Sequence, residues 1–154
     1  MEIADLMTAE AVLPAVKASG RKQALQEIGH RASDVYGLNC TAVIEGLIER
    51  ERLGSTAMGG GVAIPHARMT ELDSIVGVFA RFEKPIDFDS ADGEGVDLMF
   101  ALLAPEEAGA DHLRALAKVS RIMRDQAVLA KLRSTADAHS LFALLTEMSA
   151  SRAA

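Results

Sequence analysis

The segment Val96-Asp97-Leu98-Met99-Phe100-Ala101-Leu102-Leu103 constrains the fold more than any other stretch of this chain. It is nearly continuously apolar, yet far shorter than the roughly 18 residues a membrane span requires. A short apolar run bounded by turn residues reads as a central strand buried on both faces. Gly93 and Gly95 supply the turn before it, and Pro105 stops it. A second run, Ile75-Val76-Gly77-Val78-Phe79-Ala80-Arg81-Phe82, is β-branched and aromatic and predicts a strand. Lys84-Pro85 interrupts, and Ile86-Asp87-Phe88 follows as a short extended piece.

A sheet buried on both faces needs covering layers, and the remaining chain provides them as helices. Residues 21–36 and 41–53 have helical character, separated by Gly37 and Asn39. In the second, Val43, Ile44, Leu47 and Ile48 recur at helical spacing, with Thr41 predicted as the N-cap and Gly54 as the stop. Residues 54–61 hold too much Gly and Ser for either regular structure and predict a loop. From about residue 109 the helical period returns, with Leu113, Leu116, Ala117, Val119 (or Ser120) and Met123 marking the expected inner face. Two further helices are expected at 125–133 and 137–149. The order of helices, strands and helices predicts an α/β fold with a mixed central sheet flanked by helices on both sides.

Composition sets the outer bounds. The 154 residues match one domain, expected over 1–154, with no repeat or linker to divide it. Hydrophobic residues make up 49% and charged residues 25%, a globular balance rather than a disordered one. The absence of a basic-then-apolar leader and a single cysteine, Cys40, predict a cytoplasmic protein without membrane insertion. A net charge of −6 argues against a nucleic-acid partner, which would favour a basic face.

The chemistry concentrates between Arg50 and His66. A glycine-rich loop, Gly54-Ser55-Thr56-Ala57-Met58-Gly59-Gly60-Gly61, leads through Val62-Ala63-Ile64-Pro65 to His66. Imidazole accepts and releases a proton or a phosphoryl group near neutral pH. Glycines upstream let backbone N–H groups approach an anion. Pro65 presents the imidazole from a stiff, extended base. His66 is therefore the candidate phosphoryl acceptor. Arg50, Ser55, Thr56, Gly59, Gly60 and Gly61 are candidate anion contacts, the last five as a phosphate-binding loop. His112 is a further candidate, expected at the N-terminus of the helix after the apolar strand, where an anion is favoured.

Each candidate has a plainer reading. His30 and His139 lie in predicted helices amid polar residues and read as structural. Arg50 alone would be a solvated cation suited to a helix C-terminus. Cys40 reads as an inert small apolar residue, and the seven methionines as core filler. The glycine loop lacks the Lys-Ser/Thr of a Walker A motif, and Ile64 stands where Gly-x-Gly-x-x-Gly would need glycine. Four scattered histidines and one cysteine show no metal-ligand spacing, and no nucleophile elbow is present. Neither a metal nor another cofactor is expected.

The block from Arg50 to His66, with Asp111-His112-Leu113 downstream, resembles the IIA domains of the bacterial phosphotransferase system, fructose/mannitol type. The nitrogen-regulatory branch is the nearest. The resemblance extends through Ile3-Ala4-Asp5-Leu6-Met7, Lys22-Gln23-Ala24-Leu25 and Val96 to Leu103, nearly the whole chain. It implies a mixed sheet between helices and a phosphoryl group carried on His66. Arg50 and His112 would stabilise the phosphoryl oxygens, and a phosphorylated histidine carrier protein would be the donor. Ala67 stands where many relatives have glycine, another small residue.

Three functions follow. The first is a phosphocarrier regulating nitrogen-, carbon- or potassium-related partners, such as a transporter or sensor kinase. The second is an interaction module whose docking ignores His66 phosphorylation. The third is a sugar-specific (fructose/mannitol) IIA component that passes phosphate to a IIB component for uptake. No IIB segment is expected within this chain.

Overall fold

In the computed structural model, which describes residues 1–153, six strands form one mixed sheet covered on both faces by helices. Ala154, the last residue of the expected domain, lies outside the described residues. The strands are β1 (Val12–Val16), β2 (Ala57–Gly59), β3 (Val62–Ala63), β4 (His66–Met69), β5 (Val76–Ile86) and β6 (Val96–Pro105). The helices are α1 (Ile3–Leu6), α2 (Arg21–Tyr36), α3 (Cys40–Leu53), α4 (Ala110–Ile122), α5 (Gln126–Arg133) and α6 (Ala138–Ala153).

β6 is the spine. It pairs antiparallel with β5 along one edge and parallel with β3 and β4 along the other. From Leu98 to Ala104 its side chains alternate between two cores, as strand geometry requires. Leu98, Phe100, Leu102 and Ala104 enter one core with residues of α1, α4, α5 and α6. Val96, Met99, Ala101 and Leu103 enter the other with residues of α2 and α3. Phe79 and Phe100 pack edge to face at 6.2 Å between ring centroids. Each such fully buried aromatic stabilises by about 1.5–3 kcal/mol relative to exposure.

Several elements differ from the sequence expectation, each for a physical reason. β1 carries Pro14, which donates no ladder hydrogen bond, and it sits at the sheet edge, where β5 is its one partner among the described residues. β5 continues through Pro85 to Ile86, with a register irregularity between Arg81 and Ile86. The expected loop 54–61 contains β2, which turns back on β3 across Gly60 and Gly61 at positive φ. Asn39, not Thr41, caps α3: its side chain accepts from the Ala42 N–H at 3.0 Å. On α4 the inner face is turned by about one residue from the expected stripe. His112, Ala115, Val119 and Ile122 are buried, while Leu113 is 68% exposed.

β3 and β4 are one extended segment broken at Ile64-Pro65. Gly61 and Pro65 carbonyls accept from Leu98 and Leu102 of β6, so the break is spanned by hydrogen bonds on both sides. The segment therefore runs straight along β6 and delivers His66 opposite Leu102.

Candidate functional site

His66 opens β4 with Ala67 and Met69 buried towards α2 and α3, so strand alternation turns His66 and Arg68 to the other face. There the imidazole lies edge-on to His112 of α4, with ring centroids 5.6 Å apart. Arg50, in the last turn of α3, completes the group. Its Nε–H donates to His66 Nε2 at 3.2 Å, and its Nη1 donates to the Gly54 carbonyl at 2.8 Å. The sequence candidates Arg50, His66 and His112 thus line one open cleft of about 720 Å³.

The hydrogen bonds assign the imidazole tautomer. His66 Nδ1 lies 3.0 Å from the Ile64 carbonyl oxygen, which can only accept, so Nδ1 carries the proton. Arg50 can only donate, so Nε2 presents its lone pair.

His112 is 5% exposed, and its Nε2 is buried without a hydrogen-bond partner among the described residues. Such an orphan is costly in a folded protein and points to a bound group. Burial above all, then the nearby His66 and Arg68, holds the His112 imidazole below its usual range, which favours the neutral ring.

The candidate loop separates into two parts. Thr56 is buried and lines a smaller cavity shared with Arg50 and His66. Its hydroxyl and N–H both donate to the carboxylate of Glu51. Ser55 donates to the Phe88 carbonyl at 2.6 Å. The Gly60 N–H donates to Asp92 at 2.9 Å, and the Gly60 carbonyl accepts from Arg133 at 2.7 Å. Gly61 stands against the Arg133–Asp97 pair. Ser55, Gly59, Gly60 and Gly61 are absent from the walls of both His66 cavities, and the groove at Gly59 and Gly60 does not include His66. His30 and His139 are exposed.

Sequence reasoning missed three residues that line the cleft with His66 and the buried carboxylate that holds Thr56. Arg68 follows at the same strand face, a position the period of two would have indicated. Arg52 and Leu53 end α3, and Leu53 is 85% exposed at the cleft. Glu51 is 5% exposed and continues the buried series Val43, Leu47 at helical spacing. A carboxylate on an apolar stripe was the available signal. Among the described residues, no group of three or more His, Cys, Asp or Glu side chains is placed to hold a metal ion. None of the described helices is long and apolar enough to cross a membrane.

Comparison with known proteins agrees with this fold. A nitrogen regulatory protein of Bradyrhizobium diazoefficiens is 53% identical over 145 residues, covering 94% of this chain and 95% of that protein. One from Escherichia coli K12 is 34% identical over 149 residues, covering 96% and 91%. The crystal structure of nitrogen regulatory protein IIA-Ntr from Neisseria meningitidis superposes with a TM-score of 0.87 at 32% identity, covering 94% of this chain and 99% of that one. The family model described as phosphoenolpyruvate-dependent sugar phosphotransferase system, EIIA 2, matches residues 5–148. With its sheet, its cleft and this match over nearly its full length, the chain belongs to the EIIA 2 family of the phosphotransferase system.

Proposed function

We propose that His66 accepts and passes on a phosphoryl group through Nε2, making the chain a regulatory phosphocarrier. The observation that carries this is the tautomer: a proton held at Nδ1 by a carbonyl, and a lone pair at Nε2 facing an open, cation-lined cleft. The donor is a phosphorylated histidine carrier protein. Nε2 attacks phosphorus in line, a new N–P bond forms, and the donor's N–P bond breaks with its electron pair returning to the donor imidazole. The reverse sequence hands the group to the next acceptor.

The pocket's work is positioning and charge stabilisation, since phosphoryl transfer asks little covalent chemistry of its surroundings. On arrival of the phosphoryl group, the Arg50 N–H exchanges the Nε2 lone pair for a phosphoryl oxygen. The unpartnered His112 Nε2 becomes a second donor, satisfying a nitrogen that is otherwise stranded. Arg52 and Arg68 add cationic charge at the same cleft. Exposed Leu53 and Leu113 flank it, giving the carrier protein an apolar landing beside the reactive atom.

Phosphorylation adds roughly −1.5 to −2 charge at pH 7. It does so between two exposed leucines and several arginines, so a partner docked here reads the phosphorylation state directly. Regulation of nitrogen-related partners in the cytoplasm, such as a transporter or sensor kinase, is the role that the nitrogen regulatory relatives support over sugar uptake. The single domain is proposed to span 1–154. Incubation with the phosphorylated carrier tests the reading. Wild type gains acid-labile, alkali-stable phosphate and His66→Ala gains none; equal labelling of both would refute it.

A further inference from the structure

The last turn of α3 holds both nitrogens of the His66 ring, one directly and one through a chain of hydrogen bonds. Arg50 grips Nε2. Its neighbour Glu51 begins a path to Nδ1. The Glu51 carboxylate accepts from the Thr56 hydroxyl and, at 3.2 Å, from the Thr56 N–H. The Thr56 carbonyl accepts from the Ile64 N–H at 3.1 Å. The Ile64 carbonyl accepts from His66 Nδ1 at 3.0 Å. Glu51 and Thr56 are both buried, so the bonds that join them face little competition from water.

We infer that Glu51 is a positioning residue for phosphoryl acceptance: it anchors Thr56, and through Ile64 it keeps the proton on Nδ1 and the lone pair on Nε2. The path crosses separate peptide units, so it acts by geometry rather than by relaying charge. Burial of a carboxylate is unfavourable unless donors surround it, and packing alone would have favoured an apolar residue at this position of the α3 stripe. A leucine there would fill the space and leave Thr56 unanchored. The Ile64 carbonyl would then be free to drift, and the imidazole with it. In a reaction governed by alignment, displacement of about 1 Å costs about 100-fold in rate.

This inference rests on the proposed role of His66, but its primary readout does not. Nitrogen-15 NMR of the unphosphorylated protein reports the tautomer of His66 directly. In wild type we expect the Nδ1–H form. Glu51→Ala is expected to move population to the Nε2–H form and to slow phosphorylation by the carrier about 10- to 100-fold. Glu51→Gln, which keeps an acceptor for Thr56, should restore the wild-type tautomer and most of the rate. Should Glu51→Ala fail to fold, Thr56→Val removes one bond of the path and should shift the tautomer in the same direction. A folded Glu51→Ala or Thr56→Val protein with an unchanged His66 tautomer overturns the inference. A shifted tautomer in a protein whose wild type takes no phosphate at His66 supports the positioning role and rejects the phosphocarrier reading instead.

Discussion

The two ends of the segment from Gly59 to His66 lie a few residues apart and show opposite chemistry. At the glycine end every strong group shown is spoken for. Asp92 accepts the Gly60 N–H, Arg133 donates to the Gly60 carbonyl, and Asp97 receives both Nε and Nη2 of Arg133. The hydrogen bond from Gly60, with that from Glu94, holds the Asp92 carboxyl below its ordinary range. At the histidine end, a buried imidazole nitrogen has no partner among the described residues, and exposed apolar side chains border the cleft. A satisfied polar cluster fastens a turn. An unsatisfied one awaits a ligand.

That contrast can be broken by substitution, and the largest effect belongs to Arg50. Arg50→Ala should lower the rate of phosphoryl acceptance by about 10²–10³, the scale for losing one preorganised donor to transition-state charge. Arg50→Lys should recover little, since an ammonium cannot reach Nε2 and the Gly54 carbonyl with one planar fork. Stopped-flow transfer from the phosphorylated carrier measures both, and a wild-type rate in Arg50→Ala would erase the contrast from the histidine side.

Next comes Gly61→Ala. The residue has φ +83°, and an added Cβ would lie 2.5 Å from Arg133 Nη2 and 2.9 Å from Asp97 Oδ1. The expected cost is about 1–3 kcal/mol of stability, read by urea unfolding, with phosphate acceptance at His66 retained. Loss of acceptance in the folded variant would return the glycines to the phosphate site.

A smaller effect is expected from Leu113→Asp. The side chain is 68% exposed, so folding should change little while KM for the carrier rises several-fold, kcat staying nearly constant. An unchanged KM would remove Leu113 from the docking face.

The smallest effect is in pH dependence. His112 titrates below its usual range in the folded state, so the unfolded chain binds the extra proton more readily. The resulting stabilisation is present above about pH 6.5 and is lost as pH falls through the depressed folded value. Wild type should therefore lose more stability on acidification than His112→Gln, as chemical denaturation between pH 7.5 and roughly pH 5 would report. Parallel profiles would contradict the assignment.

The architecture was legible where a single period dominated. β6 announced itself because residues entering both cores are apolar, and α2, α5 and α6 because turn residues and caps bound them. The short strands β2, β3 and β4 were not legible, since two to four residues cannot show a period and glycines mask the hairpin. α4 misled because the inward position is held by a histidine, leaving the leucine beside it outside. At the site, residue chemistry indicated Arg50, His66 and His112, and the structure assembles all three in one cleft. The glycine loop left two readings open in the sequence, because positive φ serves a tight turn as readily as an anion. Glu51 escaped because its function depends on a five-residue return of the chain to Thr56.

Peptide mapping under alkaline conditions after reaction with the phosphorylated carrier probes the account most directly. We predict one phosphate, on His66, with NMR placing it at Nε2. Phosphate on His112, at Nδ1 of His66, or on neither histidine would contradict it.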